Sequence, residues 1–364
     1  MRFSARIAGF CTQLILAVMI VAAQTDDDSI RVETQLIDVP VFVADKAGRP
    51  VVGLKRTDFL LFEDGKPQQI AEFSTTAAPF EVALLLDTSG STRAEIALIR
   101  RSASEFIASL RPGDRVSIVA FRTERTATEA YAVTEILSPL TDDRSILTAA
   151  IEKVQTSNST PYYDGLSEIA QKVFGKPATG EFRGRRAMVA LTDGVDSASA
   201  SEFDDVRGEL ERAGIMSFVI EIDTREFFEE NLTGSCELAT RLSPSQIRRF
   251  YRTYYPKARV EKTYDFCKLG DFERLEMSKG LYELAAKQIR ELAKRSGGTV
   301  FPATDLSEAR TAFRAVAAEI GTRYSIGYYS TNEKRDGSFR SIRVELKNAP
   351  AGTTVRAREG YLSK

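Results

Sequence analysis

The chain has 364 residues, 43% of them hydrophobic and 28% charged, which excludes a disordered tail and a disulfide-scaffold miniprotein. Lysine plus arginine total 50 against 51 aspartate plus glutamate, so a net charge of −1 supplies no general attraction to nucleic acid or anionic lipid. Histidine is absent, which removes the usual general base, Ser-His and Cys-His nucleophile pairs and imidazole-bound zinc, and three cysteines without a C-x-x-C pair cannot make a four-thiolate site. A metal in this chain would have to be held mainly by oxygen.

Residues 1–23 combine Arg2 and Arg6 with an apolar run from Leu14 to Ala23, ending in Val21-Ala22-Ala23 before Gln24 and the acidic Asp26 to Asp28. The pattern reads as a Sec-type signal peptide and predicts a secreted or periplasmic protein with no membrane span after cleavage; an uncleaved N-terminal anchor is the other reading. Cleavage leaves Cys236 and Cys267. An oxidising compartment would pair them, closing a loop of about 31 residues for roughly 3–4 kcal/mol, and two unpaired thiols are the alternative.

From Ile30 to Phe73 apolar and polar residues alternate between turn signals such as Asp45-Lys46-Ala47-Gly48 and Asp64-Gly65, which predicts a small β module over 24–78. Residues 324–364 carry similar strands at Tyr324 to Tyr329, Ile342 to Leu346 and Val355 to Arg358. Each flank is short for an independent sandwich, so both are expected to pack into one module with the middle of the chain inserted between them.

The middle, 79–323, alternates strand and helix patterns. Val82 to Leu86 and Ala187 to Leu191 are continuous apolar runs, the mark of strands buried on both faces. A helix with Ile96, Ile99, Ala103, Phe106, Ile107 and Leu110 on one face follows the first and stops at Arg111-Pro112-Gly113. Strands at 116–121, 131–137, 215–222 and 298–301 and helices at 145–154, 163–174, 201–213, 281–295 and 307–320 complete the pattern. Repeated βα units predict an α/β fold with a doubly wound, mostly parallel sheet. Residues 224–280, rich in aromatic and basic side chains and holding both remaining cysteines, interrupt the alternation. Such an insertion would leave the carboxyl edge of the sheet, where these folds place ligands, as a wall or lid; a stapled surface excursion packed on itself is the alternative.

Chemistry concentrates at that edge. Asp87-Thr88-Ser89-Gly90-Ser91 follows the first buried strand, Leu191-Thr192-Asp193-Gly194 ends the second, and Ser157-Asn158-Ser159-Thr160 precedes the 163–174 helix. Two strand ends and a neighbouring loop can converge at a switch point and offer about six oxygens to a hard dication such as Mg2+. Each fragment alone also suits a helix cap or a turn, and Asp164 and Asp196 are expected in a helix first turn and a turn respectively.

In that order the D-x-S-x-S of Asp87, Ser89 and Ser91, then Thr160, then Asp193, resembles a von Willebrand factor A domain with its metal ion-dependent adhesion site. The flanks resemble the secreted VWFA-related family of Acidobacteria, through Asp58-Phe59, Glu63-Asp64-Gly65-Lys66-Pro67 and Arg358-Glu359-Gly360-Tyr361. The resemblance covers nearly all of the chain after the leader except 224–280. It implies that Ser89, Ser91 and Thr160 hold Mg2+ or Mn2+ through hydroxyls while Asp87 and Asp193 act largely through water. An Asp or Glu of a protein partner is then expected to complete the octahedron, which makes the chain a binding or adhesion module and not an enzyme. The competing readings are an envelope scaffold in which the metal only stiffens the fold and, more remotely, a hydrolase. Asp87-Thr88-Ser89-Gly90 differs from the D-T-G of aspartic proteases by the extra serine, and a serine nucleophile would lack its base.

Overall fold

The computed structural model describes residues 35–75, 79–89, 96–178, 180–257 and 262–363. The leader assigned to 1–23 and the Ser91 ligand therefore lie outside the described residues.

Alternating side chains build the N-terminal strands. β1 (Leu36–Ala44) buries Val39, Val41 and Val43 on one face. β2 (Phe59–Glu63) turns back into β3 (Lys66–Gln68) through Asp64-Gly65, both at positive φ as a tight hairpin requires, and β4 (Ile70–Ser74) follows. Their hydrogen-bonding partners lie at the other end of the chain: β11 (Tyr324–Tyr329), β12 (Phe339–Leu346), β13 (Thr354–Arg356) and β14 (Gly360–Leu362). The two antiparallel sheets run β13-β1-β11-β4 and β14-β12-β2-β3, so N- and C-terminal strands interleave in both. One core of Val39, Val41, Phe59, Leu61, Tyr324, Tyr328, Ile342 and Val344 lies between them. Strand β14 was absent from the sequence reading, and β13 is shorter than expected, stopping at Arg356.

Asp38, on β1, is half-buried beside Arg183 and Arg358, and burial pushes its carboxyl up to about 6 despite those two cations. A folded pKa above the unfolded value means that the native state binds the extra proton, so stability present at low pH is lost as pH rises through this range. Asp38→Asn is accordingly expected to raise the thermal midpoint at pH 7.5, by about 1–3 kcal/mol in stability, and to change little at pH 4. Melts of both proteins at the two pH values check this.

The central sheet has the order β10-β9-β8-β5-β6-β7. Its strands are β5 (Glu81–Leu86), β6 (Arg115–Arg125), β7 (Ala130–Ile136), β8 (Arg186–Thr192), β9 (Met216–Ile222) and β10 (Val300–Ala303). All neighbours are parallel except the antiparallel edge strand β7. β5 and β8 are buried along their whole length, as continuous apolar runs should be. On one face lie α1 (Ile96–Ser109), α2 (Arg144–Glu152) and α8 (Leu306–Gly321), with Phe106, Leu147 and Phe313 in the shared core. On the other lie α3 (Tyr162–Glu168), α4 (Phe203–Ala213) and the C-terminal half of α7 (Asp271–Ser296), with Leu166, Val206 and Ile289. This is the doubly wound, mostly parallel α/β architecture.

Two helices differ from the sequence expectation. The one expected over 163–174 is α-helical only to Glu168 and then widens, Phe174 N–H reaching Ile169 O at 2.9 Å. The helix expected to begin at 281 begins at Asp271, so the segment read as an insertion over 224–280 ends inside a continuous 26-residue helix. That segment also contains α5 (Arg225–Glu230) and α6 (Pro244–Tyr254), the latter capped by the reciprocal Ser243–Gln246 hydrogen bonds. Leu232, Leu242, Ile247, Phe250, Phe266, Met277 and Leu281 give it a core of its own. Cys236 and Cys267 form a disulfide across it. Among the described residues no helix is long and apolar enough to cross a membrane.

Candidate metal centre

The parallel pairing of β5 with β8 sets Leu86 opposite Leu191, so the residues that follow leave the sheet side by side at its carboxyl edge. Asp87 N–H is bound to Leu191 O at 3.0 Å, and Thr192 Oγ1 donates to Asp87 Oδ2 at 2.7 Å. Asp87 Oδ1 accepts from the Ser89 amide at 3.1 Å. One residue beyond Thr192, Asp193 Oδ1 accepts from Val195 N–H at 2.9 Å, and its Oδ2 accepts from the hydroxyl of Thr224. The third segment is tied in through its backbone: Ser157 N–H to Thr88 O at 2.8 Å, and Ser197 N–H to Thr160 O at 2.9 Å.

Asp87, Ser89, Thr192, Asp193 and Thr224 surround a hollow of about 10 Å³, roughly the space of one water-sized sphere. Ser89, Thr160 and Asp193 share the lining of a larger adjoining pocket of about 380 Å³. Of the five residues expected to bind a cation, four thus face these two connected spaces, and Ser91 lies outside the described residues.

The electrostatics are one-sided. Burial, together with the charge of Asp193, pushes the Asp87 carboxyl up to about 7, and burial also raises Asp193. Burial raises the phenols of Tyr162 and Tyr282 too, with Asp193 adding to both. Among the described residues neither carboxylate has an ion-pair partner, and no three acidic or cysteine side chains converge as a metal-binding group. Two acids without a counter-charge among the described residues, beside a small hollow that Ser89, Thr192 and Thr224 line together with Leu191 and Ile222, are a donor set that suits a divalent cation.

Gly194 makes the close packing possible. Its φ is +73°, and a Cβ there would meet Ile289 Cδ1, on α7, at 2.4 Å. Gly194→Ala is expected to cost more than about 1 kcal/mol from backbone conformation alone and to displace Asp193 from the edge; urea unfolding and cation titration of the variant read the two effects separately.

Two contributions escaped the sequence reading, those of Thr224 and Asp196. Thr224 is the second residue beyond the end of β9, so its place at the carboxyl edge was the available signal; its bond to Asp193 was not foreseen. Its Oγ1 lies 2.9 Å from the hydroxyl of Tyr282 on α7, and because Thr224 donates its single proton to Asp193, Tyr282 is the donor in that pair. Asp196, read as a turn residue, is buried and ion-paired to the buried Arg249 of α6 at 2.9 Å. Asp164 stands in the first turn of α3 as expected, where it also accepts from the Ala200 and Ser201 amides at 3.0 and 2.9 Å. The segment 224–280 is therefore anchored to the edge on both sides of Asp193, and Phe227, Phe228, Asn231, Leu242, Gln246 and Leu281 form much of the 380 Å³ pocket. It serves as a wall of the site in addition to packing on itself.

Residues 82–195, from β5 through the Asp193 loop, match the family model of the von Willebrand factor type A domain. No curated protein matches the chain. Among solved structures it is similar to the conserved hypothetical protein BatB from Bacteroides thetaiotaomicron, with 18% identity over 66% of this chain and 98% of that one and a TM-score of 0.38. It is also similar to a von Willebrand factor type A protein from Catenulispora acidiphila, with 12% identity, 91% and 74% coverage and a TM-score of 0.41. A third is proximal thread matrix protein 1 from the mussel byssus, with a zinc-occupied MIDAS motif, at 14% identity, 76% and 50% coverage and a TM-score of 0.41. Residues 82–195, within the mostly parallel α/β part of this chain, are von Willebrand factor type A domain sequence.

Proposed function

We propose that the protein binds a divalent cation, Mg2+ or Mn2+, at the carboxyl edge and uses it to hold an Asp or Glu side chain of a protein partner. The observation that carries this reading is the pair of carboxylates, Asp87 buried and Asp193 half-buried, facing an ion-sized hollow without a cationic side chain among the described residues. In it Ser89, Thr160 and Ser91 supply hydroxyl oxygens, while Asp87 and Asp193, each already accepting two hydrogen bonds, orient water. A bound dication with mostly neutral direct ligands supplies an electron-poor position that attracts an incoming carboxylate. The chain's own part is to keep those hydroxyls at the rim of an open pocket and to exclude competing acids from it.

The reading is one of binding without catalysis. A chain with no histidine offers no conventional base to Ser89 or Thr160, and both acids are engaged in orientation. The Cys236–Cys267 disulfide supports an oxidising, secreted or periplasmic location, and the flank motifs support kinship with the secreted VWFA-related proteins. The test is capture of envelope proteins by the immobilised chain in Mg2+, Mn2+ or chelator. Capture lost in chelator and in Asp87→Ala is expected; capture indifferent to both would leave the domain a scaffold instead.

A further inference from the structure

The wall built by 224–280 carries chemistry that a bare adhesion site does not need. Among the described residues, Asp193 and Arg241 are the charged ones in the lining of the 380 Å³ pocket, the second on its wall. Arg241 is held by its Nε, which donates to Cys236 O at 3.0 Å, and Cys236 is in turn bonded to Cys267. The disulfide thus fixes the stem of this arginine. Among the described residues its two terminal guanidinium nitrogens have no carboxylate partner. Beside it Gln246 is only 4% exposed, with its Oε1 accepting from Ser243 N–H at 2.9 Å. No hydrogen bond within the described chain engages its Nε2, so the amide is a donor facing the pocket. Phe227, 53% exposed, and Leu242 complete an apolar strip next to these donors.

We propose that this pocket selects an acidic peptide segment with two carboxylates: one directed to the cation site over Ser89 and Thr160, the second paired with Arg241 and supported by Gln246. The proposal rests on the cation-dependent reading above. The volume lies at the small end of ligand pockets, roughly 300–1,000 Å³, so it admits side chains protruding from a loop or a terminus and not a flat surface. A guanidinium positioned through its Nε keeps two parallel N–H groups for a carboxylate, the geometry that distinguishes arginine from lysine. The segment between the two acids lies against Phe227 and Leu242, which favours an apolar residue there. A single carboxylate would leave Arg241 and Gln246 facing the ligand without partners, and this supplies the selectivity.

The experiment uses the full chain, immobilised and probed with a library of nine-residue peptides carrying a central Glu, in Mn2+ and in chelator. Retained peptides are expected to be enriched in a second Asp or Glu within about four positions of the first. Arg241→Ala is expected to bind the best of them roughly tenfold more weakly and to lose the enrichment, with Arg241→Lys intermediate. Circular dichroism confirms that both variants fold. Mn2+-dependent retention with no preference for a second acid, or unchanged in Arg241→Ala, overturns the assignment while leaving the cation reading intact. Retention indifferent to chelator, or absent for every peptide, overturns both. Glutarate displacing the peptides at equal concentration would make the ligand a free dicarboxylate and also overturn it.

Discussion

Asp87→Asn is expected to make the cation-free protein more stable while abolishing its response to Mn2+. Asp87 is buried and Asp193 half-buried beside it, without a cationic side chain near either among the described residues, so in chelator their charges oppose folding. Removing one relieves that repulsion, and the melting midpoint in chelator rises by a few degrees. Asn keeps a carbonyl oxygen for either Thr192 or the Ser89 amide, so most of the local bonding survives. The same change removes half of the charge that holds a dication. Where the native chain gains about 2.7 kcal/mol from Mn2+ at one hundred times its dissociation constant, the variant should gain almost nothing. Thermal melts in chelator and in Mn2+ give both numbers. A variant less stable than the native chain in chelator and equally stabilised by Mn2+ would mean that Asp87 is a structural cap and that Mn2+ is held without it.

Thr224→Val is expected to weaken cation binding about 10- to 100-fold, the range found when the partner that orients a metal ligand is lost. Valine keeps the shape of threonine but cannot donate to Asp193 Oδ2, and it leaves Tyr282 without the acceptor 2.9 Å away. Thr224→Ser should restore affinity to within a few fold, and Tyr282→Phe should cost less than Thr224→Val because the bond to Asp193 remains. Calorimetric Mn2+ titration of the three variants tests the chain Tyr282, Thr224, Asp193. If Thr224→Val binds within twofold of the native chain, Asp193 is oriented by the Val195 amide alone.

Some of this site follows from local pattern. Val82 to Leu86 and Ala187 to Leu191 are uninterrupted apolar runs, and only strands covered on both faces need them, so the carboxyl edge could be placed and Asp87 and Asp193 set on it before any coordinates. The order Asp87, Ser89, Ser91, Thr160, Asp193 resembles the metal ion-dependent adhesion site of a von Willebrand factor A domain, and it is that resemblance which implies a cation. The start of α7 could not be read in the same way. Its apolar positions before Leu281 face the segment's own core through Met277, whereas those after it face the sheet through Ile289 and Leu292, so the periodicity changes partner within one helix. A reading that looks for one continuous stripe starts the helix where the sheet contact starts.

The composition excluded histidine chemistry, and the spacing of βα units dictated a parallel sheet with ligands at one edge, because burial on two faces and right-handed crossovers leave few other arrangements. The expectation of an oxidising compartment already favoured the Cys236–Cys267 bond that forms. The order of strands that interleaves β1 and β2 with β11 and β12, the ion pair of Asp196 with Arg249, and the reach of Tyr282 through Thr224 to Asp193 were decided only on folding. Each joins residues 31 or more positions apart through a single side-chain contact or strand pairing. Periodicity reports which face of an element is apolar; it carries no record of which distant polar atom will meet it there.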